Sequence, residues 1–290
     1  MRKRHTPGTK TRKSSSDGAV HAGRALSYDE YLKVAELLSL QERLSKPAHH
    51  DEMLFIIIHQ SYELWFKLIL YELGEAAGLM KEREILKARH FINRCVEVLK
   101  TLVRQIHILE TITPVDFLGF RDRLRPASGF QSVQFRELEF LCGLKDPALL
   151  EHFEAGSHSK RRLEQRLLEP DLSAVYLNLL KESGYRIPAN TREGHLESNP
   201  DKRDRFLDEI CKIYKESEKN LPLFLLTESL LDLDEAFGLW REHHVRVVER
   251  IIGLKTGTGG SPGVPYLRTT LSKQCFPYLW RARTRLGIQP

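Results

Sequence analysis

Residues 50–79 read HDEMLFIIIHQSYELWFKLILYELGEAAGL, and their periodicity decides the fold class. Leu54, Ile58, Tyr62, Trp65 and Ile69 recur at three- and four-residue steps, the spacing of one α-helical face. Apolar residues cover much of the remaining circumference, which predicts a helix buried on several sides. Toward the N-terminus, Pro47-Ala48 breaks the chain. Ser27 with Glu30 three residues on predicts a capping box that opens a helix over Tyr28–Leu40. Toward the C-terminus, long helices are predicted over Glu84–Ile112 and from Pro222 to Leu254, and Thr113-Pro114 ends the first and starts its successor. After the turn at Pro126-Ala127-Ser128-Gly129, residues 130–144 read as helix. Residues 145–200 read as shorter helices with loops around Gly156–Ser159 and Gly184–Pro200, and residues 264–286 as a last helix. The glycines of Gly257–Gly263 demand a loop, because each Gly lowers helix stability by about 1 kcal/mol. No useful strand alternation and no internal repeat occurs, so the expected fold is an all-α, multi-helix bundle.

The chain has 290 residues, 41% of them hydrophobic, enough for a large core. No run approaches the roughly 18–20 uncharged apolar residues of a membrane span, and no apolar signal core follows the basic N-terminus. Cys95, Cys142, Cys211 and Cys275 are widely spaced without a C-x-x-C pair, which predicts reduced, buried thiols in a cytoplasmic protein. The net charge of +6 hints at nucleic acid, but its distribution removes the hint. Residues 1–24 carry seven Lys/Arg against Asp17 alone, and the rest of the chain balances at 38 of each sign. The Ser/Gly/Lys-rich segment 1–24 is therefore expected to be a disordered tail, with residues 25–290 as one helical domain and no specific nucleic-acid or membrane partner.

Several positions carry the residue types of a reactive site. His59 lies in the apolar helix, four residues after Phe55 and on the same face. His243-His244 sits mid-helix near Trp240; adjacent helical residues diverge by about 100°, so one at most faces a given site. A neutral imidazole from a helix can hold a haem iron. Arg121, beside Phe117 and Phe120, has the fork to grip a carboxylate while the rings shape an apolar pocket, or it pairs with Asp122 at the surface. Gly257–Gly263 lets backbone and the Thr258 hydroxyl approach a polar ligand closely, but lacks phosphate-loop spacing. Glu-x-x-His pairs for a di-iron centre are absent, and His49-His50-Asp51-Glu52 lies at a helix start, where acids serve the dipole and cap.

Together these segments resemble the tryptophan 2,3-dioxygenase family. The resemblance rests on Leu26–Leu32 (LSYDEYL), Pro47–Gln60 (PAHHDEMLFIIIHQ), Glu63–Lys67 (ELWFK), Leu109–Pro114 (LETITP), Phe120–Asp122 (FRD), Pro126–Ser132 (PASGFQS), Gln134–Glu137 (QFRE) and Trp240–Gly263, which run in family order across residues 26–286. It implies a helical haem pocket with one haem b per subunit, and cleavage of the C2–C3 indole bond of L-tryptophan by O2 to N-formyl-L-kynurenine, the entry to tryptophan catabolism by the kynurenine pathway. It implies His244 as the proximal iron ligand and His59 as the distal, catalytic histidine that meets the indole N–H. Arg121 then binds the substrate carboxylate, Thr258 holds the amino-acid end, Phe55 and Phe117 line the indole pocket, and Ser128 lies near the haem. Tyr28 and Tyr31 match tyrosines that a neighbouring subunit contributes, within a homotetramer built as a dimer of dimers.

The sequence departs from the family pattern at three places. Phe117 stands where a tyrosine is frequent, Arg125 where a small residue is usual, and Pro262 in place of the second serine of the Gly-Gly-Ser-Ser-Gly loop, where it removes a donor and fixes φ. These changes leave open a relative that acts on a substituted tryptophan or inserts one oxygen atom.

Overall fold

The computed structural model describes residues 26–189, 191 and 198–287; the expected disordered tail and part of the Gly184–Pro200 loop lie outside the described residues. The chain divides into two compact units, Met1–Glu42 and Arg43–Pro290. In the first, the Ser27–Glu30 capping box forms as expected and opens α1 (Tyr28–Leu32). The single helix expected over Tyr28–Leu40 is corrected to two. Lys33 adopts the left-handed conformation (φ 54°), which ends α1 and starts α2 (Val34–Leu38), and neither helix buries a residue.

The second unit is built on α3 (His50–Lys81), α4 (Ile85–Leu109) and the 32-residue α10 (Leu221–Ile252), with α4 packed between the other two. Between them come α5 (Pro114–Arg121), α6 (Val133–Leu141), α7 (His158–Leu168), α8 (Leu172–Glu182) and α9 (Pro200–Lys215). Short polar residues set most starts: Thr113, Ser132, Ser157, Asp171 and Asn199 each accept a first-turn N–H. Among the described residues there is no strand.

Ile58, Phe66, Ile69 and Leu73 of α3 meet Ile92, Cys95, Leu99 and Leu102 of α4 and Leu226, Leu230 and Phe237 of α10 in one core. Each such side chain gains about 1.5–3 kcal/mol on leaving water. The polar atoms inside are paired across helices: Tyr62 Oη donates to the Leu102 carbonyl at 2.6 Å, and the Tyr176 and Thr227 hydroxyls meet at 2.6 Å. Among the described residues α3 is the one helix long and apolar enough to cross a membrane by length and composition, although charged residues interrupt it. Here α3 packs on α4, α6 and α8 as a core helix.

The last helix expected over residues 264–286 is likewise corrected to α11 (Val264–Thr269) and α12 (Pro277–Arg285). The buried carboxylate of Asp234 on α10 separates them. It accepts from the Cys275 and Phe276 amides at 2.8 and 2.9 Å and from Trp280 Nε1 at 2.9 Å, and so fixes the entry to α12. The stretch 130–144 is shorter than expected too, a 3-10 turn at Gly129–Gln131 followed by α6. All four cysteines are free and buried.

Candidate haem and substrate site

His59 and Phe55 share a face of α3, as their spacing requires, with ring centroids 4.0 Å apart. His59 Nδ1 lies 2.7 Å from the Phe55 carbonyl. A carbonyl only accepts, so Nδ1 carries the proton and Nε2 of the neutral ring presents a lone pair. Burial holds this imidazole below its ordinary pKa, against the Phe55 carbonyl and Glu63, which favour the protonated form.

On α10, the His244 ring lies against Trp240, centroids 5.2 Å apart and planes 5° apart. Burial lowers its pKa to about 4, and the charges of His59 and Arg136 push in the same direction. His243 turns instead to His107, at 4.9 Å between centroids. The His59 and His244 rings both retain open surface, yet protein surrounds them closely enough for desolvation to dominate their proton equilibria. The charge of a protonated His59 would act on His244, so the two rings lie within electrostatic reach of each other.

Substrate-type groups border the same helix. Phe55 packs on Phe117 and Phe120, each at 5.7 Å. Two of α5's aromatics thus reach α3, and Arg121 follows in the next position. Arg121 is buried, not paired with Asp122; that acid sits 3.4 Å from the exposed Arg125. The Arg121 guanidinium donates through Nη2 to the Thr256 carbonyl, and its Nε is buried without a partner. An orphaned charged donor in the interior is costly unless an anion completes it.

The glycine loop closes beside it. Thr258 Oγ1 donates to the Ala127 carbonyl at 2.6 Å. A Cβ built on Gly259 would stand 2.6 Å from Ser128 Cβ, so only glycine lets the loop lie against Pro126–Ser128. Pro262 is exposed, and Gly257 N still reaches the Ser261 carbonyl at 3.0 Å. Contacts thus join Phe55 to His59 and Phe117, and Arg121 to the glycine loop that carries Thr258 and lies against Ser128, while His244 packs on Trp240. Tyr28 and Tyr31 belong to the first unit, where both are exposed. A separate open groove of about 490 Å³, at Pro114 and Glu249–Lys255, contains none of the expected site residues.

One participant was not singled out from the sequence. Arg136 on α6 is buried, stacks over Phe135 at 4.8 Å, pairs with Glu139 at 2.6 Å and keeps its Nε without a partner. Arg241 also faces Glu139, at 3.6 Å, so two buried guanidiniums share one carboxylate. The available signal was a charged triplet inside the apolar run of α6, where every residue from Phe135 to Leu141 is buried.

A haem fits these residues. His244, neutral at physiological pH, has the lone pair an iron requires, and a porphyrin iron asks for one imidazole from this side. The excess positive charge of Arg136 and Arg241 suits the acidic edge of a porphyrin. Among the described residues no three His, Cys, Asp or Glu side chains come together as a metal cage.

The sequence model of the family described as tryptophan 2,3-dioxygenase matches residues 13–196 and 208–286. A tryptophan 2,3-dioxygenase of Herpetosiphon aurantiacus is 46% identical over 264 residues, 91% of this chain and 99% of the relative. Those of Xanthomonas euvesicatoria and Xanthomonas oryzae are 41% and 42% identical, each over 91% of this chain and 88% and 89% of their own lengths. With matches of this extent laid over a helical core that gathers two histidines, an arginine and a glycine loop, the chain belongs to the tryptophan 2,3-dioxygenase family.

Proposed function

We propose that the protein is a haem-dependent tryptophan 2,3-dioxygenase that converts L-tryptophan and O2 to N-formyl-L-kynurenine. The observation that carries the reading is the packing of Phe55 with His59 and Phe117, with the buried guanidinium of Arg121 on the same short helix as Phe117. His244 would hold the iron of haem b, one per subunit. Bound haem supplies the ferrous iron that activates O2 for insertion of both oxygen atoms.

The side chains handle the rest. Phe55 and Phe117 give the indole an apolar wall and exclude water. His59 Nε2, unprotonated because Nδ1 is committed to the Phe55 carbonyl, accepts the indole N–H and holds the ring in register. Arg121, buried on α5 beside Phe120, would grip the substrate carboxylate through its guanidinium. The Thr258 hydroxyl has given its proton to Ala127, so its oxygen faces the substrate ammonium as an acceptor. Ser128 buttresses that loop. Fixing both ends of the amino acid converts binding energy into alignment of C2 and C3.

The exposed leucines and tyrosines of α1 and α2 support a homotetramer, a dimer of dimers, in which Tyr28 and Tyr31 reach a neighbouring subunit's site. Four buried free thiols suit a cytoplasmic location. Turnover of the ferrous, haem-loaded protein with L-tryptophan and ¹⁸O2 tests the reaction. Two labels in N-formyl-L-kynurenine are expected. One label in a hydroxylated or oxindole product overturns dioxygenation, and a protein without a Soret band after haem supplementation overturns the whole reading.

A further inference from the structure

The sequence at 45–52 holds a cluster that the proposed chemistry does not use. The buried Glu52 carboxylate accepts from the amides of Leu44 and Ser45 at 2.7 and 3.0 Å and from the Ser45 hydroxyl. Ser45 Oγ accepts in turn from the His49 amide at 2.7 Å. His49 Nδ1 accepts the Asp51 amide at 3.3 Å as the N-cap of α3. Its backbone and one ring nitrogen are thus both held, and the ring is left facing α5.

There it meets Phe120 at 5.4 Å and the backbone of Gly119. A Cβ at Gly119 would stand 2.8 Å from His49 Cδ2 and 2.9 Å from Nε2, closer than real Cβ contacts allow. Gly119 lies inside a helix with no left-handed backbone requirement. Alanine would be the better helix former there. What glycine supplies is close approach to a ring whose other edge is engaged as the cap of α3, a bond that a retreating ring would lose.

We infer that His49 and Gly119 form a strut that sets how close α5 lies to α3, making His49 a positioning residue for Arg121 in its grip on the substrate carboxylate. This rests on the proposed role of Arg121. Phe117, Phe120 and Arg121 ride on the same eight-residue helix, so an outward shift at Gly119 moves the guanidinium relative to His59, which sits on α3 itself.

The test uses the full, haem-loaded enzyme and four variants: Gly119→Ala, His49→Asn, the double variant, and Arg121→Met. Asn keeps a capping acceptor while removing the ring. Gly119→Ala is expected to raise KM for L-tryptophan about tenfold, with kcat changed less and the Soret band unmoved, since small misplacements weaken alignment strongly. His49→Asn in the same chain is expected to return KM to within about threefold of His49→Asn alone, the non-additivity of contacting residues. An unchanged KM in Gly119→Ala, or no recovery in the double variant, overturns the strut while Arg121→Met still raises KM. An unchanged KM in Arg121→Met overturns the carboxylate reading and the strut with it.

Discussion

The imidazole of His244 lies nearly parallel to the indole of Trp240, one helical turn before it, at 5.2 Å and 5°. The stack holds the ring's plane, and the neutral state fixed by burial leaves its lone pair free. His244→Ala should abolish haem retention, read as loss of the Soret band. His59→Ala should keep haem bound and slow turnover by about 10²-fold, the range of a lost acid–base or orienting group. Full haem occupancy and an unchanged spectrum in His244→Ala would falsify the ligand assignment.

Arg121 is a buried guanidinium whose charge-assisted bonds would hold the substrate carboxylate. Its replacement by Leu should weaken L-tryptophan binding by about 1.5–3 kcal/mol, roughly 10- to 150-fold in KM. Tryptamine, which lacks the carboxylate, should lose little. Equal losses for both ligands would show that Arg121 supports the fold instead of the carboxylate.

The acid limb of kcat should reflect His59, whose depressed pKa keeps it neutral below the ordinary histidine range. Glu63 favours the imidazolium, so Glu63→Gln removes a stabiliser of the protonated form and should move that limb to still lower pH. Ser132 and Gln134 bond different oxygens of the Glu63 carboxylate, at 2.6 and 2.8 Å; in the variant one oxygen remains, Gln134 keeps the Glu63 backbone carbonyl at 2.8 Å, and the Ser132 hydroxyl can accept from the new amide. A limb that moves toward neutral pH contradicts the assignment.

Gly259→Ala places a Cβ 2.6 Å from Ser128 Cβ and 3.4 Å from the Pro126 carbonyl. The loop must lift, carrying Thr258 with it, so KM should rise several-fold while thermal stability changes little. Unaltered kinetics would mean that the loop's seat on Ser128 is irrelevant to substrate.

Asp234→Ala leaves three buried donors, two of them amides, without an acceptor. The expected loss of stability is about 3–5 kcal/mol, measured by thermal or denaturant unfolding of the apo and haem-loaded protein. A loss below about 1 kcal/mol would show that water replaces the carboxylate.

The all-α class, the long helices, the starts of two short ones and the pairing of Phe55 with His59 were legible in residue order, because helical periodicity and capping act within three or four positions. The Ser27–Glu30 box and Thr113-Pro114 are of this kind. Long-range contacts were not legible. No local rule announces that Lys33 turns left-handed, or that Asp234 cuts the last helix in two from 41 residues away. Helical spacing alone left His243 and His244 open and the resemblance named His244; only packing shows His243 turned to His107 and His244 to Trp240, and Arg121 buried instead of paired with Asp122 at the surface. The burial of Arg136 was signalled only by charges within the apolar stretch of α6, and the His49–Gly119 contact by nothing local, because desolvation and close approach arise only when segments remote in the chain compete for one volume.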